Sequence, residues 1–310
     1  MNSPSVILKS KRNKSIVKVM IETKKYKDFA KIQLQNRWKV PVLITLVIFL
    51  VNKLLNLPSD IQMMKNLSLE SLRQLEGMSF SQLLDYFSNT PTGGNATTDF
   101  ILSIIQLAIQ FILTFGAINV YITMSRSPEP VSFSAFFEGL SNWSRGLLTG
   151  LYCTFKVFLW ALITIPIIAV YAFALTVFSS YAPSTNNVVI TTTILMFLGM
   201  IPAFIKSISY SQMMYIAAEY QNVSIKDTLI LSVKLTDGHK VDIALAWLSF
   251  IGWFLLSFIT LGIADLWVTP YFRMTMTNVY HALLKEALEN EKIRPEDLNQ
   301  ECEVNQEMDL

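Results

Sequence analysis

The sequence predicts an all-α protein threaded through a lipid bilayer: a polytopic helix bundle of about six transmembrane helices, with amphipathic helices at its interfaces. Three observations predict it. Hydrophobic residues make up 52% of the 310 positions and charged residues 15%, against roughly a quarter charged in globular chains, and mean hydropathy is +0.41. Several uncharged apolar runs reach the ~20 residues needed to cross a hydrocarbon core of about 30 Å. Basic residues gather in alternate loops, as they do where loops face the cytoplasm. The same composition argues against disorder, a nucleic-acid-binding domain and a disulfide-stapled secreted domain. The longest stretches outside the spans, 1–39 and 58–99, are too short for an independent catalytic domain.

The spans are expected near 38–57, 100–122, 157–178, 188–208, 241–264 and 266–284. Residues 100–122 and 157–178 carry no charge, and 241–264 carries Asp242 alone, at its start. The first span is interrupted by Asn52 and Lys53, whose ammonium can snorkel to the far interface. The last contains Pro270 and Arg273 and is the least apolar. These spans divide the chain into a basic arm, 1–28, a membrane domain, 29–284, and an acidic tail, 285–310.

Residues 1–39 hold eleven Lys and Arg against Glu22 and Asp28, a net +9. The positive-inside rule places this arm in the cytoplasm. The loops at 123–146 (Arg126, Arg145) and 206–240 (Lys206, Lys226, Lys234, Lys240) then also fall inside. The loop 58–99, the uncharged link 179–187 and a short turn at Asp265 fall outside. An even number of spans puts both termini in the cytoplasm of a multi-pass cell-membrane protein. The first long apolar run starts near residue 40, too late for a cleavable signal peptide. Asn66 and Asn95 match the glycosylation pattern, read here as chance. Cys153 and Cys302 both fall on the cytoplasmic side, where a structural disulfide is not expected.

Phe133, Phe136, Phe137, Leu140 and Trp143 share one helical face after Ser132, a candidate N-cap. Such a helix lies either in the inner interface or on the protein's own core. Ser224 and Asp227 make a capping box for a second helix, with Ile225, Leu229 and Val233 on one face. An offset of about 92 positions pairs Val131-Ser132 with Val223-Ser224, Gly146 with Gly238 and Phe158 with Phe250. Spans two and three would then repeat as spans four and five. Outside, Leu69, Leu72 and Leu75 form a stripe. Phe80, Leu83, Leu84 and Phe87 follow a capping box of Ser79 and Gln82, and a breaker at 90–95 precedes the second span.

Several stretches together carry a resemblance: YSQMMYIAAE at 210–219, SVKLTDGHK at 232–240, LSFIGW at 248–253, TLGI at 260–263, LWVTPY at 266–271, VYHAL at 279–283 and the opening FAKIQLQNRW at 29–38. The chain from about 24 to 285 resembles a bacterial integral membrane family, common in Gram-positive species, known only as a domain of unknown function (number nine-seven-five). The resemblance implies a multi-helix membrane protein and no established activity, so it carries over no functional residue. A more distant likeness to the membrane part of some glycerophosphodiester phosphodiesterases points to lipid chemistry nearby, without their catalytic domain. Glu219 stands where that family pattern leads one to expect Asp. Residues 1–23 read as an added basic extension, with Met20 as an alternative start.

Arg273 is the residue of most interest. It lies eight positions past Asp265, about 12 Å deeper at 1.5 Å per residue. A charge at that depth either faces a polar cavity, as an anion or lipid-headgroup contact, or pairs with Glu219 or Asp265, or sits on a shallower helix. Glu219, Tyr210, His239 and Lys240 complete the set of lipid or ligand candidates. Lys156 is read as a snorkelling residue, and Gly252 and Gly262 as permitting close helix packing. Two scattered histidines and two cysteines offer no metal-ligand spacing, no cofactor is implied, and no GxSxG, HExxH, P-loop or dinucleotide motif occurs.

The expected function is therefore non-enzymatic: a protein of the bacterial cell envelope acting through lipid or protein contacts. Its partners would be membrane lipids, with anionic headgroups at the basic arm, and a membrane protein, but no nucleic acid. The alternative is a transporter or permease for a lipid-like or small anionic substrate. A mid-depth cavity lined by Arg273, Glu219 and Tyr210 would favour transport, and a solid bundle there would favour contact.

Overall fold

The computed structural model describes residues 23–66, 77–79, 82, 96–177 and 185–298. These form helices and turns, with no strand among the described residues. Residues 1–22 of the basic arm, the outer stripe at Leu69–Leu75, most of 80–87, the breaker at 90–95 and the end of the acidic tail lie outside them. In chain order the helices are α1 (23–34), α2 (Lys39–Asn66), α3 (Ala96–Arg126), α4 (Ser134–Ser141), α5 (Trp143–Ala161), α6 (Thr164–Val177), α7 (Thr185–Ser209), α8 (Met213–Glu219), α9 (Ile225–Thr236), α10 (Lys240–Leu248), α11 (Ile251–Ile259) and α12 (Asp265–Glu289). A short 3-10 turn, Pro295–Leu298, closes the described chain.

Five segments are long and apolar enough to cross a membrane: Lys39–Pro58, Phe100–Arg126, Trp143–Leu175, Ile190–Glu219 and Lys240–Ile259. In the most apolar stretch of Trp143–Leu175 only 6% of residues are buried. Phe197, Phe258 and Leu261 are 73%, 81% and 90% exposed. Apolar surface on this scale is stable only against hydrocarbon. The expected sixth span, 266–284, is not among these five segments, because α12 is less apolar. It is an enclosed helix, with Met274 through Tyr280 all buried, packed against α2, α3, α9 and α11. A helix wrapped by protein need not be apolar, which is why it tolerates Arg273, Thr275, Thr277 and Asn278.

Each long run is broken where the backbone demands it. Leu162 and Ile163 separate α5 from α6, because Pro166 has no N–H for the Leu162 carbonyl, which accepts from Ile165 instead at 3.1 Å. Helix α7 crosses this kink closely: a Cβ on Gly199 would come within 2.6 Å of Thr164. Between α7 and α8 the Met213 N–H turns to the Tyr210 carbonyl. The Ser209 carbonyl so released accepts from Ser232 Oγ at 2.8 Å and Thr236 Oγ1 at 3.2 Å. That explains why the buried face of α9 is Thr228, Leu231, Ser232, Leu235 and Thr236, whereas the stripe Ile225, Leu229 and Val233 is half-buried. The predicted span 241–264 is two helices. At their junction the Ser249 carbonyl accepts from Lys27 Nζ at 2.8 Å, and that ammonium stands 4.1 Å from the Phe250 ring centroid. Burial there, with Lys31 close by, pulls the Lys27 ammonium below its ordinary range.

Helix α11 ends in a left-handed turn, with Leu261 at φ 52° and Gly262 at φ 89° and the Gly262 N–H returning to Ser257 O at 2.8 Å. Gly262 therefore serves the turn, and a Cβ on Gly252 would meet nothing within 4 Å. The close-packing role predicted for both belongs to Gly116, Gly139, Gly146, Gly150 and Gly199. Gly262 lies against Phe49 in the middle of α2, about 15 Å along that helix from Lys39. The turn at Asp265 is thus level with mid-α2, rather than at its far end.

Helix α4 packs on α3 with Ala135, Phe136 and Gly139 buried, while Phe137 and Trp143 are 58% and 53% exposed. The aromatic stripe serves both of its predicted uses, core on one edge and surface on the other. Ser132 Oγ accepts from Ser134 N–H, one residue before the helix, and the N-cap position itself is Phe133. Half of the Ser224–Asp227 box forms: Asp227 N–H donates to Ser224 Oγ at 3.2 Å, while the acid does not reach back to a free N–H. The acid accepts the serine hydroxyl at 2.6 Å. Ser79 and Gln82 bond reciprocally. The order long segment, short helix, long segment recurs in α3–α4–α5 and α7/α8–α9–α10/α11. The matched residues do not play matching parts, since Gly146 lies within α5 against Phe115 and Gly238 is a turn residue at φ 88°. Phe158 is 55% exposed and Phe250 is sealed. Lys156 sits inside α5 over the Tyr152 ring, rather than at the start of a span.

Arg145 ties this end together. From α5 it donates to the carbonyls of Ala217, Tyr220 and Val223 at 2.8, 2.9 and 2.6 Å, closing the C-terminus of α8. Arg145→Met is expected to destabilise the protein by about 2 kcal/mol, the scale of charge-assisted bonds to partly buried carbonyls. Thermal unfolding in detergent micelles reads this out, and an unchanged midpoint would reject the role.

Candidate functional site

The ends of α3 and α8 and the middle of α12 meet α1. Arg126, the last residue of α3, forms an ion pair with Glu219, the last residue of α8. The Glu219 side chain is 4% exposed and that of Arg126 59%. Tyr280 of α12 donates its hydroxyl to the same carboxylate, and its ring stacks on Tyr215 with centroids 5.4 Å apart. One residue along from Arg126, Ser125 Oγ lies 2.7 Å from His281 Nε2. Asn278 Nδ2 donates to Gln33 Oε1 at 2.8 Å, joining α12 to α1. Arg37, just past α1, donates to the Met124 carbonyl near the end of α3.

These contacts frame a cavity of about 410 Å³ lined by Lys25, Tyr26, Phe29, Gln33, Ser125, Arg126, Asn278 and His281. Its lining holds two full cations and no carboxylate. Lys25, Phe29 and Gln33 recur at helical spacing on α1 and form one wall. The Ser125–His281 pair joins residues 156 positions apart in sequence. It serves as a tie between α3 and α12.

The five predicted site residues do not converge. Glu219 borders this cluster through Arg126. Arg273 is half-buried, with Tyr215 and Tyr121 within reach of its electrostatic field. It forms no ion pair with Glu219 or Asp265. It lies five residues from Asn278, about 8 Å along α12. Tyr210 is buried at the α7–α8 break. His239 caps α10 with Asp242 Oδ2 and Glu286 Oε1 each 3.0 Å from its ring nitrogens, beside a separate cavity of about 80 Å³. Lys240 opens α10 and lines neither cavity. Arg126, Ser125, Gln33, Asn278 and Lys25 were missed as site residues. The available signal was that Arg126 and Glu219 each close an apolar run, with opposite charges on one membrane face.

The fold and this arrangement define a multi-pass α-helical membrane protein with a cationic recess. The chain belongs to the family described as Protein of unknown function (DUF975), whose model matches residues 20–287. No curated protein and no solved structure matches it.

Proposed function

We propose that this chain is a non-enzymatic protein of the bacterial cell membrane that acts by contact with membrane lipids or a membrane protein partner, with both termini cytoplasmic. The observation that carries this reading is the cationic recess beside a lipid-facing stretch: Phe29 and Ile32 of α1 are 52% and 65% exposed next to Lys25 and Arg126. The Glu219 carboxylate is engaged by Arg126 and Tyr280, which supports a structural use of that charge. No described cavity gathers Arg273, Glu219 and Tyr210.

Parity supports the orientation. Four passes precede a hairpin of α10/α11 and α12 that returns to the side it left, so both ends share the face that carries α1, with its excess of Lys. Reporter tags fused at both ends are expected to be protected in intact cells, and tags on opposite sides would overturn the topology. Proteoliposomes are expected to show no flux of glycerol phosphate or lipid beyond protein-free vesicles, with anionic lipid retained on the purified protein. Saturable flux would establish the transporter reading instead.

A further inference from the structure

We propose that the recess between α1, α3 and α12 binds the phosphate of one anionic glycerophospholipid from the adjoining leaflet, held between Lys25 and Arg126. This rests on the contact reading above and gives it a site and a ligand class.

Two cations come from helices far apart in sequence and face one cavity. Lys25 is exposed on α1. Arg126 spends one edge of its guanidinium on Glu219 and keeps its side chain 59% open. A planar guanidinium already anchored on one edge is oriented to offer the other to a phosphate oxygen. Glu219 is buried behind Arg126, so it holds the guanidinium without presenting its own charge to the cavity. The Gln33–Asn278 pair and the Ser125–His281 pair line the remaining wall with neutral polar groups suited to glycerol and ester oxygens.

The apolar half of the argument selects a lipid over a free phosphate. Phe29 lies between Lys25 and Gln33 on the same helical stripe, and Ile32 flanks it, both exposed. A soluble anion has no use for that edge, whereas acyl chains leaving a bound headgroup would cover it. Helix α1 is fastened for this work by Lys27 on the Ser249 carbonyl and by Ala30 and Leu34, which are 0% exposed.

The test is native mass spectrometry of the full chain in micelles carrying equal phosphatidylglycerol and phosphatidylcholine. The wild type is expected to retain one phosphatidylglycerol in preference to phosphatidylcholine. Lys25→Glu, an exposed position, is expected to lower that retention about tenfold with an unchanged melting midpoint. Lys226→Glu, the same charge change on α9 outside the recess, should retain lipid like the wild type. Wild-type protein that retains both lipids equally would overturn the contact reading's lipid arm and the site together. Equal retention by Lys25→Glu and wild type would overturn this site alone. Millimolar glycerol phosphate that displaces phosphatidylglycerol completely would overturn the lipid as the ligand's source.

Discussion

Arg126→Met is expected to lower stability by about 3 kcal/mol, the low end of the range for breaking a buried ion pair. The loss comes from what is left behind. The Glu219 carboxylate is 4% exposed, and without the guanidinium it retains the Tyr280 hydroxyl against the desolvation of a full charge. The low end applies because the Arg126 side chain is more than half exposed, and water can enter where it stood. Glu219→Gln should cost only about 1 kcal/mol, since its amide oxygen still accepts from Tyr280 and Arg126 returns to solvent. The double variant Arg126→Met/Glu219→Gln should recover most of the single loss. Differential scanning fluorimetry in micelles reads all three. A double variant no more stable than Arg126→Met would show that the pair is not what holds α3 to α8.

Gly139→Leu is expected to cost about 3 kcal/mol or more, as overpacking against backbone does. A Cβ at Gly139 would stand 2.8 Å from the Gly116 Cα and 2.9 Å from the Asn119 Cβ. Neither can swing aside, so α4 must lift from α3. That movement also stretches the Asn119 Nδ2 bond to the Ala135 carbonyl, now 3.1 Å. At Gly150 the obstructing atoms belong to the Phe111 ring, which has rotamers to try, whereas at Gly146 the nearest is the Phe115 Cβ, which moves only with its backbone. Gly252→Ala is the control: with nothing within 4 Å it should be neutral or gain up to about 1 kcal/mol from helix propensity. A Gly139→Leu protein that melts with the wild type would reject the close α3–α4 contact.

Much of the fold was legible because it depends on neighbours in sequence. Hydropathy over ~20 residues finds segments that need hydrocarbon, and it found the five that the structure carries. The Ser224–Asp227 and Ser79–Gln82 boxes were readable because a cap is a three-residue event. Helix α12 was expected as the least apolar of the spans, and hydropathy is a poor guide to it. Hydropathy assumes that a spanning helix faces lipid, and α12 faces protein on every side over its central turns. The glycines were misassigned: whether a missing side chain serves a turn or a close crossing depends on what lies opposite, and Gly252 and Gly139 look alike in sequence.

The site was largely illegible. Glu219 was identified as a residue of interest, but its partner was sought in Arg273, eight residues past Asp265, because depth was counted from an outer turn. The turn instead rests on Phe49 at mid-α2, and Glu219 pairs with Arg126. Ser125 meets His281 across 156 positions and Asn278 meets Gln33 across 245, and no periodicity spans such distances.

The amino-acid sequence alone determined that this protein is helical, lies in a membrane and gathers positive charge toward one side, because solvation and helix formation are decided within a few turns of chain. The tertiary structure alone decided which charges neutralise one another, which helix is enclosed and where a recess opens. Those outcomes depend on packing between remote segments, where a shift of one helical turn exchanges every partner.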